Sequence, residues 1–398
     1  MNQKTRQFIS EHETEDIFNL TLQHQNNAEI DINLAIRQIT GKQKIKNKVP
    51  LFYYNDDVLY PAQLSLEQSS SETTAQYKAT LCQGNTLIDL TGGFGVDCSF
   101  MSENFKKVIY VERQNTLCEL ATHNFKVLGK NHIQVVNAQT EKYLPTIKHV
   151  DWIYIDPARR SSSGKKVVLL SDCEPDVSAL ASVLLSKADK IMIKLSPMMD
   201  ITSAIKELPN TSEIHIISVE NECKEVVLIL NQSTLNHKKT RTVNFTKNNN
   251  TQVFEYNLTE ETNTNTSLTS TIGNYLFEPN ASVMKSGAFK LIGAKFGLNK
   301  LHTNTHLYTS DKLPLEFPGR IFKVQHCWGS SKKELKELTE QKPKANISCR
   351  NYPLSVEELR KKLKIKDGGD TYLFACTLAN DEKLIIECTK LDPKANLQ

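Results

Sequence analysis

The sequence predicts an α/β protein built on a Rossmann-like, largely parallel sheet, and three observations carry that prediction. The stretch Leu87 to Glu112 reads as strand, glycine-dense turn, helix and strand, with an acid closing each apolar run, Asp89 and Glu112. From Asn85 onward, apolar runs alternate regularly with amphipathic segments, the pattern of successive strand and helix units. The series ends on two β-rich runs, Glu213 to Val219 and Val226 to Leu230, joined by residues 220–225 alone. Such a short connection implies a terminal antiparallel hairpin, where a plain dinucleotide fold would interpose a helix.

Composition bounds the rest. A chain of 398 residues exceeds one ordinary domain, so two or three are expected. The net charge of +4 is small, but basic residues concentrate toward the C-terminus. Nine cysteines occur with no C-x-x-C pair, which predicts reduced thiols rather than a zinc site or a disulfide framework, and no metal is expected. No apolar stretch reaches the length of a membrane span, and MNQKTRQFIS lacks the hydrophobic centre of a signal peptide. The expectation is a soluble cytoplasmic protein with no membrane partner.

To about Lys48 the chain reads as helical, with Ile17, Leu20, Ile30, Leu34 and Ile39 at near-helical spacing. Lys42, Lys44, Lys46 and Lys48 read as a solvated helix end before Pro50. A turn at Asn55 to Asp57 and a polar cluster, Gln68 to Thr74, precede a further helix, and the cluster reads as its cap. After the opening strands, a helix from about Asn115 leads to a strand at Ile133 to Val136 that ends in Asn137 and Ala138. The next strand, Trp152 to Ile155, ends in Asp156-Pro157-Ala158-Arg159-Arg160. A helix near Asp176 to Ser186, a strand at Lys190 to Lys194, Leu195-Ser196-Pro197 and a helix at about Ile201 to Leu208 complete the series.

The glycine turn admits two ligand classes. A dinucleotide fingerprint finds Gly93, Gly95 and the acid Glu112, but Cys98 stands where the third glycine belongs. S-adenosylmethionine, which carries an ammonium, a sulfonium and a ribose, suits the acids Asp89 and Asp97 that flank the turn, whereas a pyrophosphate would be repelled by them. Ligands of open α/β sheets bind beyond the carboxyl ends of the strands, so Asp89, Glu112, Asn137, Asp156 and Ser196 are expected to converge. Arg159 and Arg160 offer two forks for phosphate or carboxylate, or for an internal ion pair. Lys194, at the end of an apolar strand, requires a partner.

DLTGGFGVD and IDPARR resemble motifs I and IV of class I S-adenosylmethionine-dependent methyltransferases. More closely, the chain resembles bacterial methyltransferase-like proteins with a ferredoxin-like module and a C-terminal THUMP-like domain. The shared blocks are SLEQSSSETTAQYKA, DLTGGFGVD, IDPARR, KLSPMMD, ENECKE, YLFEPNASV and RNYPLSVEELRKKLKIKDGGD. The resemblance implies a seven-strand methyltransferase sheet with an N-terminal helical segment and small α+β C-terminal modules. It implies that Asp89, Thr91, Gly92, Gly93 and Gly95 flank the methionine portion of S-adenosylmethionine, Glu112 the ribose, and Asn137 with Ala138 the adenine. The expected divisions are a helical region 1–75, a methyltransferase domain 76–235, a hairpin and polar linker 236–272, a ferredoxin-like module 273–318 and a THUMP-like domain 319–398.

The DPAR tetrad is also similar to that of enzymes that methylate carbon 5 of uridine in RNA, which need a cysteine nucleophile after the following strand. Here Leu195 takes the nucleophile's place. Amino-methyltransferases carry D-P-P-Y or N-P-P-Y, with an aromatic ring that stacks a flipped base. Ala158 and Arg159 replace that pair. Direct transfer to a nitrogen or oxygen acceptor remains, with Asp156, Arg159 and Lys194 as catalytic candidates.

Beyond Leu230 the sequence predicts a hairpin of Thr242 to Phe245 and Gln252 to Tyr256, an exposed tip at Asn263 to Ser270, and a helix around Ser286 to Phe296. Ser355 and Glu358 form a capping box, with Leu354 and Leu359 as a staple, for a helix carrying Arg360, Lys361, Lys362, Lys364 and Lys366. A strand pair, Thr371 to Leu378 and Lys383 to Thr389, follows. Gly319 to Lys366 holds 13 Lys and Arg against 5 Asp and Glu, a balance that suits an RNA phosphate backbone. The function expected is methylation of structured RNA, ribosomal or transfer, with Arg159, Arg160, Ser196, Lys361 and Lys362 as substrate contacts. A non-catalytic RNA-binding or assembly factor on the same scaffold, or a methyltransferase for protein or a small molecule, are the alternatives.

Overall fold

The computed structural model describes residues 1–24, 29–159, 169–233, 238–248 and 250–391, with Arg159 described in its backbone alone. The chain divides into two units, Met1–Ser212 with Val226–Leu235, and Glu213–Glu225 with Asn236–Gln398.

The first unit opens with the helices Gln3–Glu11, Ile17–His24 and Ile32–Ile45. Asn2 and Asp31 cap the first and third by accepting from the N–H groups of Thr5 (2.7 Å) and Leu34 (3.0 Å). Phe8, Ile9, Leu20, Ala35 and Ile39 form their shared core. The lysine run differs from the expected solvated helix end. Lys42 is buried and ion-paired with Glu13 (3.2 Å) and Asp56 (2.7 Å), and Lys48 donates to the carbonyls of Leu66 (2.7 Å) and Glu67 (2.9 Å). Two acids distant in sequence fold back onto Lys42, which no local charge count reveals.

The sheet of this unit comprises β1 (Gly84–Asp89), β2 (Phe105–Glu112), β3 (Ile133–Asn137), β4 (Val150–Ile155) and β5 (Ala188–Leu195), which pair in parallel in the order β3-β2-β1-β4-β5. The strand order reverses between β1 and β4, the place where ligands of such sheets bind. Register sets Asp89 beside Tyr110 and Tyr154, and Glu112 beside Asn137. The acid-bearing tips therefore share one edge. Next come β6 (Thr211–Val219) and β7 (Glu222–Asn231), and the part of β7 from Val226 pairs antiparallel with β5. Glu220 and Asn221, both at positive φ (51° and 65°), form the two-residue turn of the expected closing hairpin.

In the second unit, β6 pairs in parallel with β8 (Lys239–Phe245), and β8 pairs antiparallel with β9 (Thr251–Asn257), the expected hairpin lengthened at both ends. A seven-stranded sheet follows: β10 (Tyr275–Pro279), β11 (Asn299–His302), β12 (Thr305–Ser310), β13 (Gly319–Trp328), β14 (Asn346–Arg350), β15 (Thr371–Thr377) and β16 (Lys383–Lys390), in the order β11-β12-β10-β13-β16-β15-β14. It curls on itself. Leu301 and Leu307 pack in one cluster with Phe374 and Cys376, and Thr305 Oγ1 donates to the Thr377 carbonyl at 2.7 Å.

Outside the curl, Val283, Leu291 and Ile292 pack on Phe277 and Tyr308, while Leu338, Leu359 and Leu363 pack on Leu373 and Ile385. The helix expected at Ser286 to Phe296 starts only at Leu291, as Leu291–Phe296, and a separate helix, Ala281–Ser286, precedes it and is ended by Gly287 at φ +78. The capping box of Ser355 and Glu358 forms as expected, but the helix Val356–Leu363 stops at Lys364, φ +55, so Lys364 and Lys366 lie beyond it.

Candidate active site

The glycine turn is tied to strands on both sides. Leu90 N–H donates to the Tyr154 carbonyl of β4 (3.0 Å), and Gly92 N–H donates to the Val111 carbonyl of β2 (2.9 Å). Tyr110 fills the space beneath the turn and donates its hydroxyl to the Gly93 carbonyl (2.5 Å). A Cβ on Gly92 would fall 2.1 Å from that ring, so only glycine fits there. Phe94 turns away from the sheet into a core of Phe52, Tyr60, Leu66 and Ala75, which anchors the N-terminal helices on the turn.

Four carboxylates gather at this edge. Glu112 accepts from the N–H groups of Gly93 (3.0 Å) and Gln114 (2.8 Å), which fix its orientation. Asp89 is buried and accepts from Thr91 N–H (3.0 Å). Burial, and then the neighbouring Asp97, Asp156 and Glu112, push its carboxyl well above the usual range, against a lowering by that one hydrogen bond. Asp156 donates its backbone N–H to Thr91 Oγ1 (2.6 Å) and holds Lys194 Nζ at 2.5 Å. This is the partner that an apolar strand ending in lysine demanded.

The fourth, Asp97, lies in a buried ionic row. Its Oδ1 faces Lys78 Nζ at 3.2 Å; its Oδ2 accepts from Ser70 Oγ and Tyr154 OH, each at 2.7 Å, and lies 3.9 Å from Lys194 Nζ. Burial acts to raise its pKa, but Lys78, Lys194 and the two hydroxyls outweigh burial and hold the carboxyl below the ordinary aspartate range. Lys78, Asp97, Lys194 and Asp156 thus alternate in sign. Asp89 and Glu112 form no ion pair among the described residues.

The structure therefore brings together Asp89, Thr91, Gly92, Gly93, Gly95, Asp97, Glu112, Asp156 and Lys194. Asn137 joins them through its side-chain amide, which donates to the Glu112 (2.9 Å) and Arg113 (3.1 Å) carbonyls, and Ala138 N–H donates to Glu112 O (3.1 Å). Ser196 is exposed just past the end of β5. Arg160 and the Arg159 side chain lie outside the described residues. Lys361 and Lys362 are in the second unit, exposed on the helix Val356–Leu363.

Sequence reading missed Ser70, Lys78 and Tyr154. A signal for Lys78 exists, since Thr74, Ala75, Lys78 and Cys82 recur at helical spacing and all are buried. The expected cap also forms within the cluster: Ser71 caps Glu72–Thr80, while Ser70 serves Asp97. The cysteines of this region are poor nucleophiles. Burial raises the Cys98 and Cys118 thiol pKa values.

A cavity of about 490 Å³ opens at the opposite end of the sheet, lined by Gln83, Asp151, Trp152 and Lys190 near the starts of β1, β4 and β5. It is remote from the acid-bearing tips, and the tips are the better candidate because the chemistry converges there. Among the described residues no helix is long and apolar enough to cross a membrane.

Comparison with known proteins adds the following. A family model described as a ferredoxin-like domain matches residues 275–318, and one described as THUMP domain-like matches residues 319–390. The crystal structure of a protein described as a methyltransferase from Porphyromonas gingivalis W83 is 32% identical, superposes with a TM-score of 0.88, and covers 98% of this chain and 100% of its own. An uncharacterized S-adenosylmethionine-dependent methyltransferase of Mycobacterium tuberculosis (strain CDC 1551 / Oshkosh) is 20% identical over 307 residues, which span 76% of this chain and 80% of that protein. Its counterpart in strain H37Rv matches to the same extent.

Proposed function

Since the chain belongs to the S-adenosylmethionine-dependent methyltransferase family that carries a ferredoxin-like and a THUMP-like domain, we propose that it methylates structured RNA, ribosomal or transfer, at a nitrogen or oxygen, by direct transfer without a cysteine nucleophile. One observation carries the cofactor side of this reading. Of the four clustered carboxylates, Lys78 and Lys194 satisfy Asp97 and Asp156, while Asp89 and Glu112 have no cation among the described residues. A ligand with an ammonium, a sulfonium and a ribose diol fits that excess of negative charge.

When bound, S-adenosylmethionine supplies a methyl group on a positively charged sulfur. The chain's residues do the rest. Glu112, oriented by two backbone N–H groups, accepts from ribose hydroxyls, and Asn137 and Ala138 border the adenine. Asp89, Thr91, Gly92, Gly93 and Gly95 line the methionine portion. Asp97, enclosed by Lys78, Lys194 and two hydroxyls, acts on that portion through its field and by holding the turn.

Asp156 keeps one oxygen on Lys194 and is about one-third exposed (34%). Among the described residues nothing donates to its other oxygen, which can accept from the N–H or O–H of the acceptor. Held by Lys194, Asp156 is placed chiefly to orient the acceptor lone pair. Ser196 lies just past β5 on the acceptor side, and Arg159 and Arg160, which follow Asp156 in sequence, are assigned to the substrate in this reading. In the second unit, Lys361 and Lys362 offer charge to a phosphate backbone, and the match to a THUMP-like domain supports that reading. Residues 76–235 then perform the transfer, and 273–318 with 319–398 present the RNA.

Two measurements test the proposal. Calorimetry is expected to detect S-adenosylhomocysteine binding by wild-type protein and its loss on Glu112→Ala. Nucleoside mass spectrometry is expected to find one methylated nucleoside missing from RNA of cells lacking the protein, restored by the wild-type gene but not by Asp156→Ala. An unchanged nucleoside profile would overturn the RNA substrate.

A further inference from the structure

The second unit contains a charged triad that the active site does not use. Glu278, on β10, stands directly opposite Arg320 of β13 and is buried. Its Oε2 accepts from Arg320 Nε (2.8 Å) and Nη2, and its Oε1 accepts from Arg350 Nη2 (2.8 Å). Arg350 ends β14, at the far edge of the same sheet, so the curl of the sheet delivers it. The second guanidinium thus comes from a strand four places away in the sheet order.

One buried carboxylate aligns two guanidinium groups, yet their side chains remain 32% and 40% exposed. Arg350 Nη1 donates to the Cys349 carbonyl (3.0 Å), while among the described residues nothing accepts from Arg320 Nη1 or Arg350 Nε. The triad carries a net positive charge. Burial, then Lys300 and Arg350, lower the nearby His306 to about 4. Planar forks held in register, each with a free donor edge, match phosphate oxygens better than flexible lysines do. Glu278 belongs to the ferredoxin-like match and both arginines to the THUMP-like match. The triad therefore sits where the two modules share one sheet.

We propose that Arg320 and Arg350, seated on Glu278, form a phosphate-binding pair that holds the RNA backbone. The inference rests on the RNA reading above. The test is fluorescence anisotropy of full-length protein with a fluorescein-labelled RNA hairpin over a salt series. Wild type is expected to bind with a steep salt slope. Arg350→Gln, which leaves Glu278 paired with Arg320, is expected to weaken binding about tenfold and to lower the slope by about 1.

Arg350→Lys keeps the charge but loses the fork, so it is expected to retain the slope and still weaken binding. A purely structural role would change the melting temperature and leave the slope of folded protein intact. Wild-type binding that both variants reproduce in affinity and slope overturns the pair while the RNA reading stands. Undetectable or salt-insensitive binding by wild type overturns the RNA reading itself, and the pair with it.

Discussion

Replacing Lys78 by Met isolates what the buried ionic row contributes. The ammonium is fully buried, 3.2 Å from Asp97 Oδ1 and 3.2 Å from Ser70 Oγ. At an effective dielectric near 20, the Lys78–Asp97 attraction is about 5 kcal/mol, and the 3.9 Å contact with Lys194 is about 4 kcal/mol. Desolvation offsets much of both. Breaking one partner of a buried pair typically costs about 3–5 kcal/mol. Asp97 retains Tyr154, Ser70 and Lys194, which places Lys78→Met at the lower end, about 3 kcal/mol. Methionine keeps the aliphatic stem and its packing.

The pH dependence has a definite sign. Asp97 is held below its ordinary range, so its stabilisation is full above the unfolded pKa, about 3.9, and is lost as pH falls through the lower folded value. Without Lys78 the folded value rises. The gap between wild type and variant is then full at neutral pH and narrows as pH falls from the variant's raised folded value toward the wild-type one. Urea unfolding in a Trp328→Phe background, where Trp152 is the sole tryptophan of the first unit, reads the effect. Adding Asp97→Asn to Lys78→Met is expected to recover at least half the loss. A deficit under about 1 kcal/mol at pH 7, or one constant down to pH 3, would refute the assignment of that energy to the ion pair.

Three further outcomes are expected. Asp89→Asn keeps the acceptor for Thr91 N–H; because the Asp89 pKa is raised, wild-type stability declines as pH rises from the unfolded value through the folded one, so the variant melts higher than wild type at pH 8 and loses that advantage at pH 4, while calorimetry shows weaker S-adenosylhomocysteine binding. Gly92→Ala drives a methyl into the Tyr110 ring and is expected to cost more than Gly93→Ala, whose Cβ meets only the Thr91 carbonyl at 3.8 Å and adds roughly 1–2 kcal/mol of left-handed strain; equal losses in urea unfolding would contradict this. Phe94→Ala empties a buried ring position and is expected to cost about 3–5 kcal/mol and to raise protease cleavage between Ile45 and Gln68, an effect a local cavity alone would not produce.

The parallel strands, the glycine turn and the acids Asp89, Glu112 and Asp156 were legible because each rests on a local signal. Continuous apolar runs mark the strands, glycine marks the turn, and an acid at a strand end faces the ligand edge whatever the rest of the chain does. The capping box at Ser355 was legible for the same reason, since its two bonds span three residues. Where the sequence reading failed, a single backbone angle or a distant partner decided. Gly287 ends a helix at Ser286, where one was expected to begin, and Lys42 met Glu13 and Asp56.

The sequence by itself determined the strands, the glycine turn and the flanking acids of the stretch Leu87 to Glu112, because they are contiguous in the chain. Only the tertiary structure decided how its charges are balanced. Lys78 comes from a helix before β1, Tyr154 from β4 and Lys194 from β5, and they meet on Asp97 because the strand order reverses between β1 and β4. The same holds for Arg350 on Glu278, 72 residues apart, which only the curl of a sheet unites. Local geometry is written in neighbouring residues, whereas ion pairing at long range depends on which buried charges folding leaves without water.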